Sequence, residues 1–342
     1  MPDWSVAPAE VAANFAADGD LIAGIAAYRR HPWHRDLPDP PVSWQEGETR
    51  LLDYGGSGPP VLFVPSLINR AYVLDLAPGR SMLRWLSDNG ARPLLLDWGW
   101  PGPEERSFTL TDYIAGRLER ALAAAAQSGP VVLAGYCMGG LLALAAALRR
   151  PDLVRGLALL ATPWDFHAPD PARARQLAGA LPLLEPLLGF NGTLPVDALQ
   201  YLFAMAEPDG IAGKYRGFAQ VDQTSERAVQ FVAIEDWLND GVPLAAPVAR
   251  ECLDGWYGRN TPATLAWRVA GQSVDPARLR LPAFVAVPAR DRIVPPESAM
   301  QLAGLLPAAT LHQPGAGHIG MVAGSHAAKG LWQPLRDWIT AL

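Results

Sequence analysis

The stretch Val131-Val132-Leu133-Ala134-Gly135-Tyr136-Cys137-Met138-Gly139-Gly140 runs straight on into Leu141-Leu142-Ala143-Leu144-Ala145-Ala146-Ala147-Leu148. A short β-branched apolar run, a reactive residue framed by glycines and an Ala/Leu helix make up the strand, sharp turn and helix of a nucleophile elbow. Cys137 stands where G-x-S-x-G enzymes place serine. Gly135 and Gly139, two residues before and two after it, let strand and helix approach closely, and the strained turn leaves the Cys137 side chain exposed. The helix beginning near Met138 points its amide end at the sulfur and favours negative charge there. Such a residue transfers or hydrolyses acyl groups.

Outward from the elbow, further apolar runs occur at Pro60-Val61-Leu62-Phe63-Val64, Pro93-Leu94-Leu95-Leu96-Asp97, Leu157-Ala158-Leu159-Leu160-Ala161 and Ala283-Phe284-Val285-Ala286-Val287. Strands buried on both faces read this way. Helical patterns lie between them at 81–89, at 111–127 with Thr111 as the cap, and at 138–149. Alternation of this kind predicts βαβ units and a mostly parallel sheet flanked by helices. The segment Glu48-Thr49-Arg50-Leu51-Leu52-Asp53-Tyr54 alternates like an early, half-exposed strand, and Gly55-Gly56-Ser57-Gly58-Pro59 is a turn rather than a phosphate loop, because it precedes a strand. After Ala161 the alternation stops. The expected division is an N-terminal extension (1–46, with helical patterns from 8 to 28 and a Pro-rich run), a core (47–161 and 282–342) and a largely helical cap (162–281). A last strand is expected near 309–313 and a closing helix near 329–342.

Bulk properties narrow the function classes. Lys+Arg 28 against Asp+Glu 34 gives a net charge of -6, which makes no electrostatic case for nucleic acid. No charged residue occurs between Arg120 and Arg149, a length that invites a membrane span. Ser128-Gly129-Pro130 and the elbow glycines cut it into a strand and a helix, so no transmembrane segment is expected. Two cysteines form no C-x-x-C pair or disulfide framework, and Met1-Pro2-Asp3-Trp4 opens no secretory signal, so a cytoplasmic location is expected. His31, His34, His167, His312 and His326 show no metal-ligand spacing, and no metal is expected.

Two residues complete the chemistry. Asp291 follows the strand at 283–287, and His318, in Gly317-His318-Ile319-Gly320, follows the expected last strand. Nucleophile, acid and histidine in that order at strand ends define the α/β-hydrolase fold. His318 takes the thiol proton, and Asp291 holds the imidazole in the right tautomer. The oxyanion requires two backbone amides: Met138, after the nucleophile, and one from the loop after Val64, either Ile68 or Leu67. Cys252 has no glycine frame and reads as structural.

With these residues in place the chain resembles the polyhydroxyalkanoate synthases, in particular the short, two-subunit (class III-like) kind. The resemblance spans about Val61 to Ala327. It is carried by Val64-Pro65-Ser66-Leu67-Ile68-Asn69-Arg70 with Leu74-Asp75-Leu76, by Leu96-Asp97-Trp98-Gly99 with Pro101-Gly102 and Thr111-Asp112-Tyr113-Ile114, and by Gly135-Tyr136-Cys137-Met138-Gly139-Gly140. Asp291-Arg292-Ile293-Val294-Pro295 and Gly317-His318-Ile319-Gly320 match its acid and histidine motifs, with softer matches at Ala161-Thr162-Pro163-Trp164-Asp165-Phe166 and Trp237-Leu238-Asn239-Asp240-Gly241.

This resemblance implies polymerisation of 3-hydroxyacyl-CoA. The acyl group would sit on Cys137 as a thioester, a hydroxyl activated by His318 would attack it, and no cofactor beyond the CoA thioester substrate would be needed. It also implies a growing polyester, a polymer granule surface, and a second synthase subunit or a homodimer as partners. Intracellular polyester depolymerases and other thioester hydrolases carry the same Cys-His-Asp set, and an inactive granule- or partner-binding homologue would keep the fold. The motifs leave these alternatives open. No basic cluster marks a CoA site; Arg70, Arg106 and Arg290 are scattered candidates.

Overall fold

The computed structural model describes residues 18–206 and 210–342. The helical pattern expected from residue 8 lies partly outside the described residues; within them, Gly19–Arg30 forms helix α1, capped by the Asp18 carboxylate on the Leu21 amide. The strands β1 (Val42–Glu46), β2 (Thr49–Asp53), β3 (Pro60–Val64), β4 (Arg92–Asp97), β5 (Val131–Tyr136), β6 (Val154–Leu160), β7 (Ala283–Ala286) and β8 (Ala309–His312) form one sheet in the order β1-β2-β4-β3-β5-β6-β7-β8. From β4 to β8 every pairing is parallel, and β1 and β2 add an antiparallel edge. The chain has an α/β-hydrolase fold.

Residues alternate across β5: Val131 and Leu133 enter one apolar layer, and Val132, Ala134 and Tyr136 enter the other. All six residues of the strand are buried, which is why it reads as an unbroken apolar run. Helix α2 (Met82–Asp88) starts at Ser81, whose Oγ accepts the Arg84 amide. Helix α3 (Glu119–Ala125) is preceded by a π-helical segment, Asp112–Leu118. Thr111 is not its cap. Its backbone is already helical, and Thr109 and Asp112 cap the segment reciprocally, the Asp112 amide donating to Thr109 Oγ1 while the Thr109 amide and hydroxyl donate to Asp112 Oδ2. Helix α4 (Met138–Arg149) is buried along ten of its residues.

The sheet begins earlier than the sequence indicates. Strand β1 falls in the stretch expected to be an extension, because Val42-Ser43-Trp44-Gln45-Glu46 is mostly exposed and shows no apolar alternation. Charge holds it in place. Arg117, fully buried, donates to the Glu46 carbonyl and pairs with the carboxylates of Glu46 and Glu105, and Arg120 pairs with Glu46.

Between β6 and β7, residues 162–281 hold helices α5 (Pro171–Ala178), α6 (Leu181–Asn191), α7 (Val196–Ala206), α8 (Gly210–Ala219), α9 (Glu226–Asn239) and α10 (Ala246–Arg250). A two-residue pairing of Thr193–Leu194 with Leu244–Ala245, a π-helical segment, Glu251–Gly258, and a short antiparallel pair, Arg268–Val269 with Gln272–Ser273, lie in the same stretch. Helix α1 lies on α8. A Cβ at Gly24 would sit 1.9 Å from the Tyr215 carbonyl oxygen, and Tyr28 donates to Asp236 on α9 at 2.8 Å. The part of the N-terminal segment within the described residues therefore packs against the inserted helices. The chain ends in α11 (Pro296–Leu305), α12 (His318–Ala323) and α13 (Gln333–Thr340).

One buried carboxylate ties several of these pieces together. Asp75, with a fully buried side chain, accepts from Arg84 Nε (2.8 Å) and Nη2 (3.0 Å), from Arg35 Nη2 (3.1 Å) and from the Tyr54 hydroxyl (3.1 Å). Burial, reinforced by the Asp75 charge, pushes the Tyr54 hydroxyl pKa well up, so it stays a donor. Removing one member of such a buried pair strands the charges left behind. Asp75→Ala is expected to lower stability by about 3 kcal/mol, read as a fall in the urea midpoint with an unchanged m-value.

Candidate active site

Cys137 occupies the turn between β5 and α4 with φ 56° and ψ −129°, a left-handed conformation that a side-chain-bearing residue holds only under constraint. The constraint is visible. Its amide donates to the Leu160 carbonyl at 2.8 Å, and its carbonyl accepts the Gly140 amide at 2.9 Å. A Cβ at Gly139 would sit 2.0 Å from the Val64 carbonyl oxygen, and one at Gly140 would sit 1.9 Å from Thr162 Oγ1. Helix α4 thus lies directly on the ends of β3 and β6. Gly140 is as necessary as the two glycines of the motif, for a reason no local pattern carries: its neighbour, Thr162, is remote in sequence.

The sheet brings Asp291 and His318 to the same edge. The Asp291 side chain turns back on its own loop: Oδ1 accepts the amides of Ile293 and Val294, both at 2.9 Å. That leaves Oδ2 for His318 Nδ1, 2.7 Å away. Both side chains are buried, and His318 lies close enough to Cys137 for the two side chains to interact. The three expected residues therefore form one group, Asp291, His318 and Cys137. Tyr136, by its pattern one more residue of a buried strand, backs this group: its ring centroid lies 5.0 Å from that of His318, and its hydroxyl donates to the His318 carbonyl at 3.2 Å.

Electrostatics favour a charged imidazole. Burial alone would suppress protonation of His318, but the Cys137 charge, the hydrogen bonds to Asp291 and Cys137 and the Asp291 charge outweigh it and raise the pKa from 6.5 to about 10. The other cysteine is different: burial, with help from Glu251, pushes the Cys252 thiol well above its ordinary value, which keeps it an inert apolar group.

The loop after β3 holds both residues expected to supply the second oxyanion amide, Ile68 and Leu67. The Ile68 amide donates to Ser66 Oγ at 3.2 Å, so it is engaged within its own turn. Trp98 Nε1 fixes the start of the loop by donating to the Pro65 carbonyl at 3.1 Å.

The scattered arginines do not converge: Arg70 lies beside Asp240, Arg106 donates to the Pro101 carbonyl and Arg290 to the Gly315 carbonyl. The rings of His31, His167 and His312 each meet a backbone carbonyl, of Gln223, Tyr257 and Gly330 respectively. Among the described residues, no helix is long and apolar enough to cross a membrane.

Comparison with known proteins fits this geometry. The family model for the alpha/beta hydrolase fold matches residues 59–180. Among solved structures, a thioesterase domain from the curacin biosynthetic pathway superposes with a TM-score of 0.53 at 16% identity, covering 86% of this chain and 95% of that one. A monoacylglycerol lipase of Paleococcus ferrophilus gives 0.53 at 16% identity over 86% and 99%. Architecture and comparisons agree on an α/β-hydrolase fold.

The sequence relatives are more particular. The poly(3-hydroxyalkanoate) polymerase subunit PhaC of Haloferax mediterranei is 31% identical over 87% of this chain and 63% of its own length. The subunit of the same name from Allochromatium vinosum is 29% identical over 82% of this chain and 80% of its own length. The chain is thus similar over most of its length to proteins named poly(3-hydroxyalkanoate) polymerase subunit PhaC, and it spans just under two thirds of the Haloferax relative.

The raised His318 pKa has a sign that can be tested. A group whose pKa is higher in the folded state stabilises that state when protonated. The contribution is full below pH 6.5 and is lost as pH rises through about 10. Urea midpoints are expected to fall across this window, and His318→Gln to flatten the fall. In the same variant, alkylation of Cys137 by iodoacetamide at pH 7, read by mass spectrometry, is expected to slow by about tenfold or more, because no imidazole remains to take the thiol proton.

Proposed function

We propose that the chain polymerises 3-hydroxyacyl-CoA into a polyhydroxyalkanoate through an acyl thioester on Cys137. The observation that carries this reading is the Asp291–His318 pair set beside the strained elbow cysteine, Cys137, in a chain whose relatives are named as poly(3-hydroxyalkanoate) polymerase subunits.

In the first half-reaction the Cys137 sulfur attacks the substrate thioester carbonyl. The charge that develops on oxygen is met by the amides of Met138 and Leu67. The carbon–sulfur bond to CoA breaks, and the imidazolium of His318 supplies the proton that leaves with CoA as its free thiol. Exchange of one thioester for another costs little free energy, so the acyl group stays activated. In the second half-reaction the hydroxyl of another 3-hydroxyacyl unit gives its proton to His318 Nε2 and attacks the Cys137 thioester, forming the ester and regenerating the sulfur. Asp291 fixes the tautomer throughout by holding Nδ1.

Water would divert the second step to hydrolysis, and the cap from 162 to 281 is suited to exclude it. The outer face of α6 supports contact with an apolar polymer surface or a partner. Leu183 and Phe190 are 82% and 89% exposed, with Leu187 between them and Tyr201 on α7 also exposed. We infer a cytoplasmic protein that works at the granule surface, with a second synthase subunit or as a homodimer.

Incubation with 3-hydroxybutyryl-CoA, alone and with a candidate second subunit, is expected to release free thiol and yield polymer. Free acid in place of polymer would make the protein a hydrolase, and no thiol release under either condition would make it a binding homologue. Cys137→Ala is expected to abolish thiol release and acyl labelling, and Cys252→Ala to preserve both. Asp291→Asn is expected still to become acylated but to elongate about 10²-fold more slowly or worse; equal elongation would remove Asp291 from the chemistry.

A further inference from the structure

The block Trp237-Leu238-Asn239-Asp240-Gly241, singled out in the sequence, is given no task by the triad. In the structure it lies against the oxyanion loop. Trp237, buried near the end of α9, donates its indole N–H to the Arg70 carbonyl at 2.7 Å. The Val242 amide donates to the Ile68 carbonyl at 2.9 Å, and Gly241 forms a β-bridge with Asn69. Asp240 Oδ1 lies 3.6 Å from Arg70 Nε, a buried nitrogen with no hydrogen-bond partner of its own. These ties fall on residues 68–70, next to Leu67, and all come from the inserted segment.

On the other side the core grips the same loop, through Trp98 at Pro65 and through the close passage of Gly139 beneath Val64. The Leu67 amide is therefore suspended between a core anchor and a cap anchor. Donors that stabilise an oxyanion must be aimed in advance, and a displacement of a few tenths of an ångström weakens them.

We propose that the strip 237–242 of the cap positions the oxyanion loop, with Trp237 as the main positioning residue, so that acyl transfer at Cys137 runs at full rate only while the cap is seated on residues 68–70. The proposal rests on the reading of Leu67 as an oxyanion donor in an acyl-transfer site. Trp237 touches no reacting atom; it acts through the loop.

Two substitutions remove one donor each: Trp237→Phe deletes the indole N–H and keeps an aromatic ring in the core, and Val242→Pro deletes the amide that reaches Ile68. Hydrogen exchange read on peptides spanning 65–72 is expected to speed up about five- to tenfold in either variant, the size of one lost hydrogen bond, with peptides of β5 and α4 unchanged. The kcat for thiol release from 3-hydroxybutyryl-CoA is expected to fall about 10- to 100-fold with little change in KM. Alkylation of Cys137 by iodoacetamide, a displacement that forms no oxyanion, is expected to stay within about twofold of wild type.

Unchanged exchange at 65–72 in a folded variant overturns the proposal. So does a parallel loss of alkylation and thiol release, which would mean general damage to the site. If the wild-type protein releases no thiol, the acyl-transfer reading falls by itself, and the exchange experiment still decides whether the cap holds the loop. If one variant does not fold, the other carries the same test.

Discussion

A backbone-to-backbone contact governs this molecule: the start of helix α4 rests on the last carbonyls of strand β3 with no side chain between them. At Gly139 even a methyl group would lie 2.0 Å from the Val64 oxygen. Because the helix cannot retreat, the residue joining it to β5 is forced into φ 56° and ψ −129°, and that residue is Cys137. The same contact brings Met138 beside the loop that leaves β3, where Ser66 Oγ meets its sulfur, so the elbow and that loop are aligned by one close approach. Backbone strain at the elbow is borne by a core with a fully buried strand and a helix buried along most of its length.

The acid and the base arrive by a different route. Parallel strands all point their carboxyl ends to one side, so residues far apart in sequence meet at that edge. Asp291 and His318 sit just beyond β7 and β8. Two loop amides consume one oxygen of Asp291, which leaves a single direction for the other. Tyr136 then limits where the imidazole can lie. Each group is oriented by a neighbour that has no role in bond making.

Much of this was readable beforehand. The strands of the parallel core stand out because burial on both faces demands continuous apolar runs, and the triad stands out because elbow glycines and chain order are local features. What escaped was held by long-range polar contacts. Val42–Glu46 is a strand because Arg117 and Arg120 reach it, and nothing in its own pattern says so. The cap of the π-helical segment is Thr109 rather than Thr111, a choice made by reciprocal bonds with Asp112 that leave Thr111 Oγ1 to accept the Ala270 amide. Ser66 Oγ takes the Ile68 amide, a bond that no local pattern announces. Tyr136 looked like one more strand residue, and its work depends on His318, far away in the chain.

The insertion point also bears on how such a protein can diversify. β6 and β7 are direct neighbours, with Leu157 opposite Ala283 and Leu160 opposite Ala286, so the chain leaves the sheet and returns to it in adjacent rows. The cap is a closed excursion from a pairing that is complete without it. Lengthening such an excursion costs little, about 0.6 kcal/mol for each doubling, and none of that cost falls on the elbow. Residues 162–281 can therefore be remodelled while the edge that carries Cys137, Asp291 and His318 is inherited unchanged, provided the few contacts to residues 68–70 survive. Variation and constancy are thus assigned to separate stretches of one chain.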